Sequence, residues 1–173
     1  GGELEGIYLY LAGLATPAIR EQICERIRSH VRTGEIDIQN DLCAAARAVC
    51  GHGSGVVAIM GTGSNSCFYD GDTVSQRVRS GGFIIGDEGG AAALGKLFLA
   101  DLIKERIPEA VAKEFDAQFD ASYGNIVEKI YHGERPAAWL GSLAPFIVSH
   151  ADDPAIKALV ERNFRDFIER TLL

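Results

Sequence analysis

Gly55-Val56-Val57-Ala58-Ile59, followed at once by Met60-Gly61-Thr62-Gly63-Ser64-Asn65-Ser66, is the stretch whose reading decides the fold. Five apolar residues in a row read as a buried strand, and a turn of two glycines and two hydroxyl residues closes its carboxyl end. Glycine lacks Cβ, so the chain there can take positive φ and present successive N–H groups to an anion. Thr62 and Ser64 add hydroxyl donors. The turn lacks the Lys-Ser/Thr ending of a P-loop and the third glycine of the dinucleotide fingerprint. Beyond it come Cys67-Phe68-Tyr69, Asp70-Gly71 and Thr73-Val74-Ser75-Gln76-Arg77-Val78, a hairpin closed at Asp-Gly rather than the start of a helix. Alone, such a turn is equally the mark of an ordinary hairpin with no ligand, so its neighbours carry the argument.

Downstream lies a second glycine turn, Gly86-Asp87-Glu88-Gly89-Gly90, with two carboxylates. Asp87 follows the apolar Phe83-Ile84-Ile85 and can be drawn toward a pocket where a carboxylate accepts bonds from sugar-type hydroxyls. Glu88 reads as the cap of a helix from Ala91, and helix-start chemistry competes for both residues. Upstream, Glu35-Ile36-Asp37-Ile38-Gln39 alternates as a strand, and Asn40-Asp41 opens a small-residue helix through Ala44, Ala45, Ala46 and Ala48. Asp41 stands where α/β sheets open their ligand crevices, beside the positive end of a helix dipole. It reads either as a cap or as a general base. Phosphoryl transfer to an alcohol needs at minimum an aspartate that accepts the hydroxyl proton, with Mg²⁺ and backbone N–H groups stabilising the phosphoryl charge.

The rest of the chain alternates strand and helix, then turns helical. Gly6 to Leu11 is an unbroken apolar run, the pattern of a strand covered on both faces of a parallel sheet. Ala12-Gly13-Leu14-Ala15 is its turn. Thr16 caps and Pro17 begins a helix with Ile19, Ile23 and Ile27 on one face. Gly51-His52-Gly53-Ser54-Gly55 is the internal boundary. Helices are predicted over Ala91 to Lys104, around Glu109 to Gly133, over Trp139 to Ser149, and from Asp153 onward with Pro154 at its start. Ile156, Leu159, Val160, Phe164, Phe167, Ile168 and Leu172 form the apolar stripe of that last helix, while Trp139, Phe115, Phe119, Phe164 and Phe167 read as core.

Composition bounds the function. The 173 residues, 47% hydrophobic, suffice for one large domain or two small ones, and a net charge of −7 with no Lys/Arg cluster argues against a nucleic-acid surface. No apolar run reaches the length of a membrane span, and no signal-peptide pattern is seen, which points to the cytoplasm. Cys24, Cys43, Cys50 and Cys67 form no CxxC pair and read as buried free thiols of a reducing compartment; no metal-ligand spacing is found. His30, His52, His132 and His150 sit singly near element ends. The chain opens at Gly1, and its last helix has no closing signal, so it reads as a portion of a longer protein.

Three motifs in order, Gln39-Asn40-Asp41-Leu42 with Ala44-Ala45, Ile59 to Asn65, and Ser80-Gly81-Gly82-Phe83-Ile84-Ile85-Gly86-Asp87-Glu88-Gly89, resemble the N-acetylglucosamine kinase and BadF/BadG-type ATPase family of the actin-like superfamily. The resemblance is specific over Gly6 to Gly95 and general in the helical remainder. It implies an α/β fold of two ribonuclease H-like lobes with ATP and sugar in the cleft, residues 1–51 ending the first lobe and 52–173 beginning the second. It implies Asp41 as catalytic aspartate, Gly61, Thr62, Gly63, Ser64 and Asn65 as the second phosphate loop, and Asn40, Thr62, Asn65, Gly81, Gly82 and Asp87 as sugar contacts. ATP and Mg²⁺ are the implied cofactors, a small sugar the substrate, and a homodimer is compatible.

The family's first phosphate motif and late adenosine motif are missing, and Gly82-Phe83 stands where the kinases commonly carry tryptophan. Two alternatives belong to the same superfamily. One is the iron–sulfur ATPase activator of 2-hydroxyacyl-CoA dehydratases, similar in Asn40 to Ala45 with Cys43. The other is a sugar-sensing domain without catalysis.

Overall fold

The computed structural model describes residues 4–12, 14, 16–75 and 78–172. It is an α/β chain that divides into two compact units, one of residues 1–57 and 67–76, the other of residues 58–66 and 77–173.

The first unit starts with β1 (Leu4–Leu11), α1 (Pro17–Arg28), β2 (Thr33–Asn40) and α2 (Asp41–Cys50). β1 and β2 pair in parallel, from Leu4 opposite Thr33 to Leu11 opposite Asn40. Such pairing needs a crossover, which α1 supplies. Thr16 caps α1 by accepting from the Ile19 N–H, and Pro17 occupies the first turn, as the sequence predicts. The apolar run of β1 is not covered on both faces: Tyr8 is 58% and Tyr10 39% exposed. The tyrosine hydroxyls at those positions are hydrogen-bonded, and no residue of the strand is fully buried. Tyr8 donates to Glu35 (2.8 Å), and Tyr10 accepts from Arg47 (2.7 Å). α1 likewise buries no residue fully. Of its predicted turn, Gly13 and Ala15 lie outside the described residues.

A three-stranded sheet takes the order β3 (Gly55–Met60), β4 (Ser64–Tyr69), β5 (Val74–Ser75). β4 and β5 run antiparallel, with Tyr69 opposite Val74. The Asp-Gly hairpin is closed by Asp70, whose Oδ1 accepts from the N–H groups of Asp72 (2.9 Å) and Thr73 (2.7 Å). Three backbone and side-chain donors hold the Asp70 carboxyl below its usual range. The predicted strand to Val78 is described only through Ser75, Gln76 and Arg77 lying outside the described residues. Cys43 and Cys67 are buried while Cys24 and Cys50 are half-buried, and none is disulfide-bonded. Burial, reinforced by Cys43 and Cys50, pushes the Cys67 thiol up.

The second unit holds the helices: the short turn α3 (Gly82–Ile85), α4 (Ala91–Ile103), α5 (Glu109–Phe119), α6 (Tyr123–Tyr131), α7 (Pro136–Ser142), α8 (Ala144–Ser149) and α9 (Pro154–Phe167), extended by a π-helical turn over Ile168–Leu172. Two predicted helices are each broken in two. Asp120, in the left-handed region at φ 50°, ends α5, and Leu143 with Pro145 divides α7 from α8, because proline has no N–H to continue a helical ladder. The core is aromatic: the Phe115 ring lies 4.9 Å from Phe98 and 5.2 Å from Phe146. Phe164, predicted as core, is 48% exposed, because its neighbour Asn163 takes the inward position. No helix among the described residues is long and apolar enough to cross a membrane.

His150 ends α8 and ties it to α5. Its Nδ1 lies 2.8 Å from the Phe146 carbonyl and its Nε2 3.2 Å from the Glu114 carboxylate. The carbonyl first, against partial burial, and then Glu114 and Asp153 raise its pKa above the ordinary histidine value. A raised folded value means stabilisation that is complete below about pH 6.5, the unfolded value, and fades as pH rises through the folded one. Thermal melts of wild type and His150→Gln should therefore differ most at pH 5.5–6 and converge toward pH 8; a gap that widens with pH would contradict this contact.

Candidate functional site

The glycine turn and the acidic turn interlock within the second unit. The Gly61 N–H donates to the Gly63 carbonyl (2.8 Å), pinching the turn. The carbonyls of Gly61 and Thr62 accept from the N–H groups of Ala91 (2.8 Å) and Ala92 (2.9 Å), the first two residues of α4. The N-terminus of α4 is thus satisfied by backbone of the glycine turn. Glu88 is not its cap: Gly90 holds that position, no side chain caps it, and the Glu88 carboxylate pairs with Arg170 at 3.2 Å. Backbone carbonyls already in place leave a side-chain cap nothing to do.

Gly63 and Gly90 are glycines for reasons of space. A Cβ on Gly90 would lie 2.7 Å from the Gly63 carbonyl carbon and 2.9 Å from the Asp87 carbonyl oxygen. A Cβ on Gly63 would lie 2.4 Å from Asp87 Oδ2. The Asp87 carboxylate therefore leans directly over the glycine turn. Asp87 reaches that place through a left-handed backbone, φ 60°, which residues with a side chain adopt infrequently. Its Oδ1 accepts from Ser80 Oγ (2.7 Å).

Asp87 lines a cavity of about 280 Å³ together with Ser64, Arg79, Ser80, Gly81 and Arg170 among others, and Ser64 is the residue of the glycine turn on its wall. Ser64 is buried and its hydroxyl donates to the Glu88 carbonyl (2.5 Å), so that hydroxyl is already engaged. Asn65 accepts from the Ser66 N–H through its side chain (3.0 Å). Gly82 opens α3, whose Ile84 and Ile85 stand exposed, and the Lys96 ammonium donates to the Phe83 carbonyl at the same turn.

In the first unit, Asn40 and Asp41 divide the work at the start of α2. Asn40 is the cap: its Oδ1 accepts from the Cys43 N–H (2.8 Å). Asp41 is the first helical residue, half-buried, with Oδ1 accepting from the Leu42 N–H (3.0 Å). Its second oxygen makes no hydrogen bond among the described residues. The capping role, open in the sequence, thus falls to Asn40.

Three further residues escaped sequence reasoning, and one of them, Asn163, holds the acidic turn. Asn163 of α9 is 3% exposed; its Oδ1 accepts from the Gly89 N–H (3.1 Å) and its Nδ2 donates to the Gly90 carbonyl (3.3 Å). The signal was available: Asn163 falls four residues after Leu159 and four before Phe167, a polar residue inside an apolar stripe. Ser66 Oγ donates to the Thr171 carbonyl (2.8 Å), and Gly141 of α7 packs on the Thr62 side chain. Replacing Asn163 by alanine strips two backbone groups of their partner, and chemical denaturation should show a loss of about 1–3 kcal/mol. An unchanged midpoint would mean water replaces the amide.

The chain aligns in structure with the "putative N-acetylglucosamine kinase" of Porphyromonas gingivalis at TM-score 0.90 and 38% identity, over 96% of this chain and 59% of that one. The chain is similar to a putative N-acetylglucosamine kinase. A second such putative kinase, from Chromobacterium violaceum, matches at TM-score 0.74 and 20% identity over 95% of this chain and 58% of its own, a likeness of fold alone. The chain thus spans a little under three fifths of the length of both. No family model and no curated protein matches it. Both neighbours bear the name of putative N-acetylglucosamine kinases and neither that of a dehydratase activator.

Proposed function

We propose that the protein carrying this chain transfers the terminal phosphoryl group of ATP to a hydroxyl of an amino sugar, N-acetylglucosamine or a related hexose. The observation that supports this most is the Asp87 carboxylate leaning over Gly63, which sets an acceptor-type carboxylate beside the glycine turn. The 38% identity to a putative N-acetylglucosamine kinase supports the same chemistry.

In this reading Asp41 takes the proton of the attacking hydroxyl and orients its oxygen, with Asn40 holding the helix end that presents it. The turn Gly61, Thr62, Gly63, Ser64 and Asn65 receives the phosphates, through the Thr62 and Gly63 N–H groups and the Thr62 hydroxyl. Thr62, Asn65, Gly81, Gly82 and Asp87 contact the sugar, and the engaged Ser64 hydroxyl leaves that residue its backbone to offer. The residue types fit a phosphate: a turn with two glycines and two hydroxyls supplies the backbone and side-chain donors that an anion needs. Mg²⁺, when bound with ATP, would neutralise charge developing on the transferring group.

The lobes enter the proposal too: residues 1–51 close a first ribonuclease H-like lobe and 52–173 begin the second, in a cytoplasmic enzyme that acts on a small molecule and tolerates homodimer formation. The test is ADP release by the full-length protein across a panel of hexoses and N-acetylated hexosamines. Stimulation by an amino sugar is expected; a panel that leaves ADP release at its basal rate overturns the proposal.

A further inference from the structure

Ser80 lies in the segment leading to α3, on the wall of the cavity that Asp87 enters. Its hydroxyl makes two hydrogen bonds, to Asp87 Oδ1 (2.7 Å) and with the Gly82 N–H (3.3 Å). A backbone N–H can only donate, so Ser80 Oγ accepts from Gly82 and has a single proton left to give. That proton goes to Asp87, which fixes the direction of the chain: Gly82 N–H to Ser80 Oγ–H to Asp87 Oδ1. The two oxygens of Asp87 thereby become different. Oδ1 is held by Ser80, and Oδ2 is the one over the glycine turn, where only the missing Cβ of Gly63 makes room.

We propose that Ser80 is a positioning residue of the acceptor site, which orients Asp87 so that Oδ2 alone receives the acceptor's hydroxyl beside the phosphate turn. The proposal rests on reading Asp87 as an acceptor contact. Asp87 needs such a holder because its left-handed backbone is costly and its χ angles are otherwise free to swing toward solvent. A hydrogen bond to a charged group is the stronger kind, and its direction here is set by a neighbour that cannot reverse. Ser80 touches the acceptor only through Asp87, so its loss should weaken acceptor binding and leave nucleotide binding alone.

The experiment uses the full-length protein, with the most active amino sugar or hexose of the panel as the varied substrate and ADP release as the readout. Ser80→Ala should raise the acceptor KM about 10-fold or more, leave the ATP KM within about twofold, and leave thermal stability close to wild type. Ser80→Thr keeps the hydroxyl and should restore most of the acceptor affinity. An unchanged acceptor KM in Ser80→Ala overturns the proposal, and so does equal damage by alanine and threonine or a parallel rise in the ATP KM. Asp87→Asn separates the two layers. If it raises the acceptor KM while Ser80→Ala does not, only the role of Ser80 falls; if neither does, or no acceptor is active, the acceptor reading of the cavity falls as well.

Discussion

Asp41→Asn in the full-length protein should lower kcat for sugar-dependent ADP release by about 10²–10⁴-fold, while the KM for the sugar stays within a few-fold. The substitution is nearly isosteric and removes a base without removing a cap. Asn40 caps α2, so the helix keeps its terminal bond; what is lost is the interaction of a carboxylate with the helix dipole, about 0.3–1 kcal/mol. Activity and stability should therefore separate sharply. A variant that turns over at near the wild-type rate would remove Asp41 from the chemistry. A wild-type protein that binds sugar but never turns over would point instead to a sensing domain.

Gly63→Ala should be the second most damaging change, and it acts through Asp87. The new Cβ would fall 2.4 Å from Asp87 Oδ2, which no carbon–oxygen pair tolerates. The clashing atom is the end of a side chain, so Asp87 swings away and its bond from Ser80 is lost, while the fold is largely kept. A displacement of about 1 Å at a reacting centre can cost about 100-fold in kcat/KM, and a loss of 10- to 100-fold is expected here. Gly90→Ala provides the contrast. Its Cβ would meet backbone, the Gly63 carbonyl carbon and the Asp87 oxygen, which cannot rotate aside. Overpacking of that kind costs about 1–3 kcal/mol, so it should be read in denaturation rather than kinetics. Should Gly63→Ala be fully active, the Asp87 carboxylate has no need of its place over the turn.

Much of the site is legible residue by residue. The glycine turn after a strand, the helix opening at Asn40-Asp41, the Asp-Gly hairpin and the Asp153-Pro154 helix start all follow from local rules of φ, capping and apolar spacing, which act within a few residues; the burial expected of β3 does not, since only Val57 is buried and Val56 is 63% exposed. Where local rules had two answers, the sequence could not choose between them. Glu88 looked like a helix cap because it precedes Ala91, and Ser64 looked like a free hydroxyl because it sits in a glycine turn. The partners that engage them, Arg170 and the Glu88 carbonyl, lie 82 and 24 residues away. The apolar run of β1 misled for another reason: apolar residue types permit burial but do not supply the elements that would cover them, and no residue of β1 is fully buried.

The sequence by itself determined the succession of elements, the two glycine turns and the residue types able to bind phosphate or take a proton, because these depend on backbone sterics and hydrogen bonding between near neighbours. Only the tertiary structure decided how the turns are used. It set the Asp87 carboxylate over Gly63, gave its other oxygen to Ser80, and brought the buried Asn163 amide from α9 to the Gly89-Gly90 backbone. Those contacts join segments 7 to 74 residues apart, and their geometry comes from packing against a shared core, which no local pattern encodes.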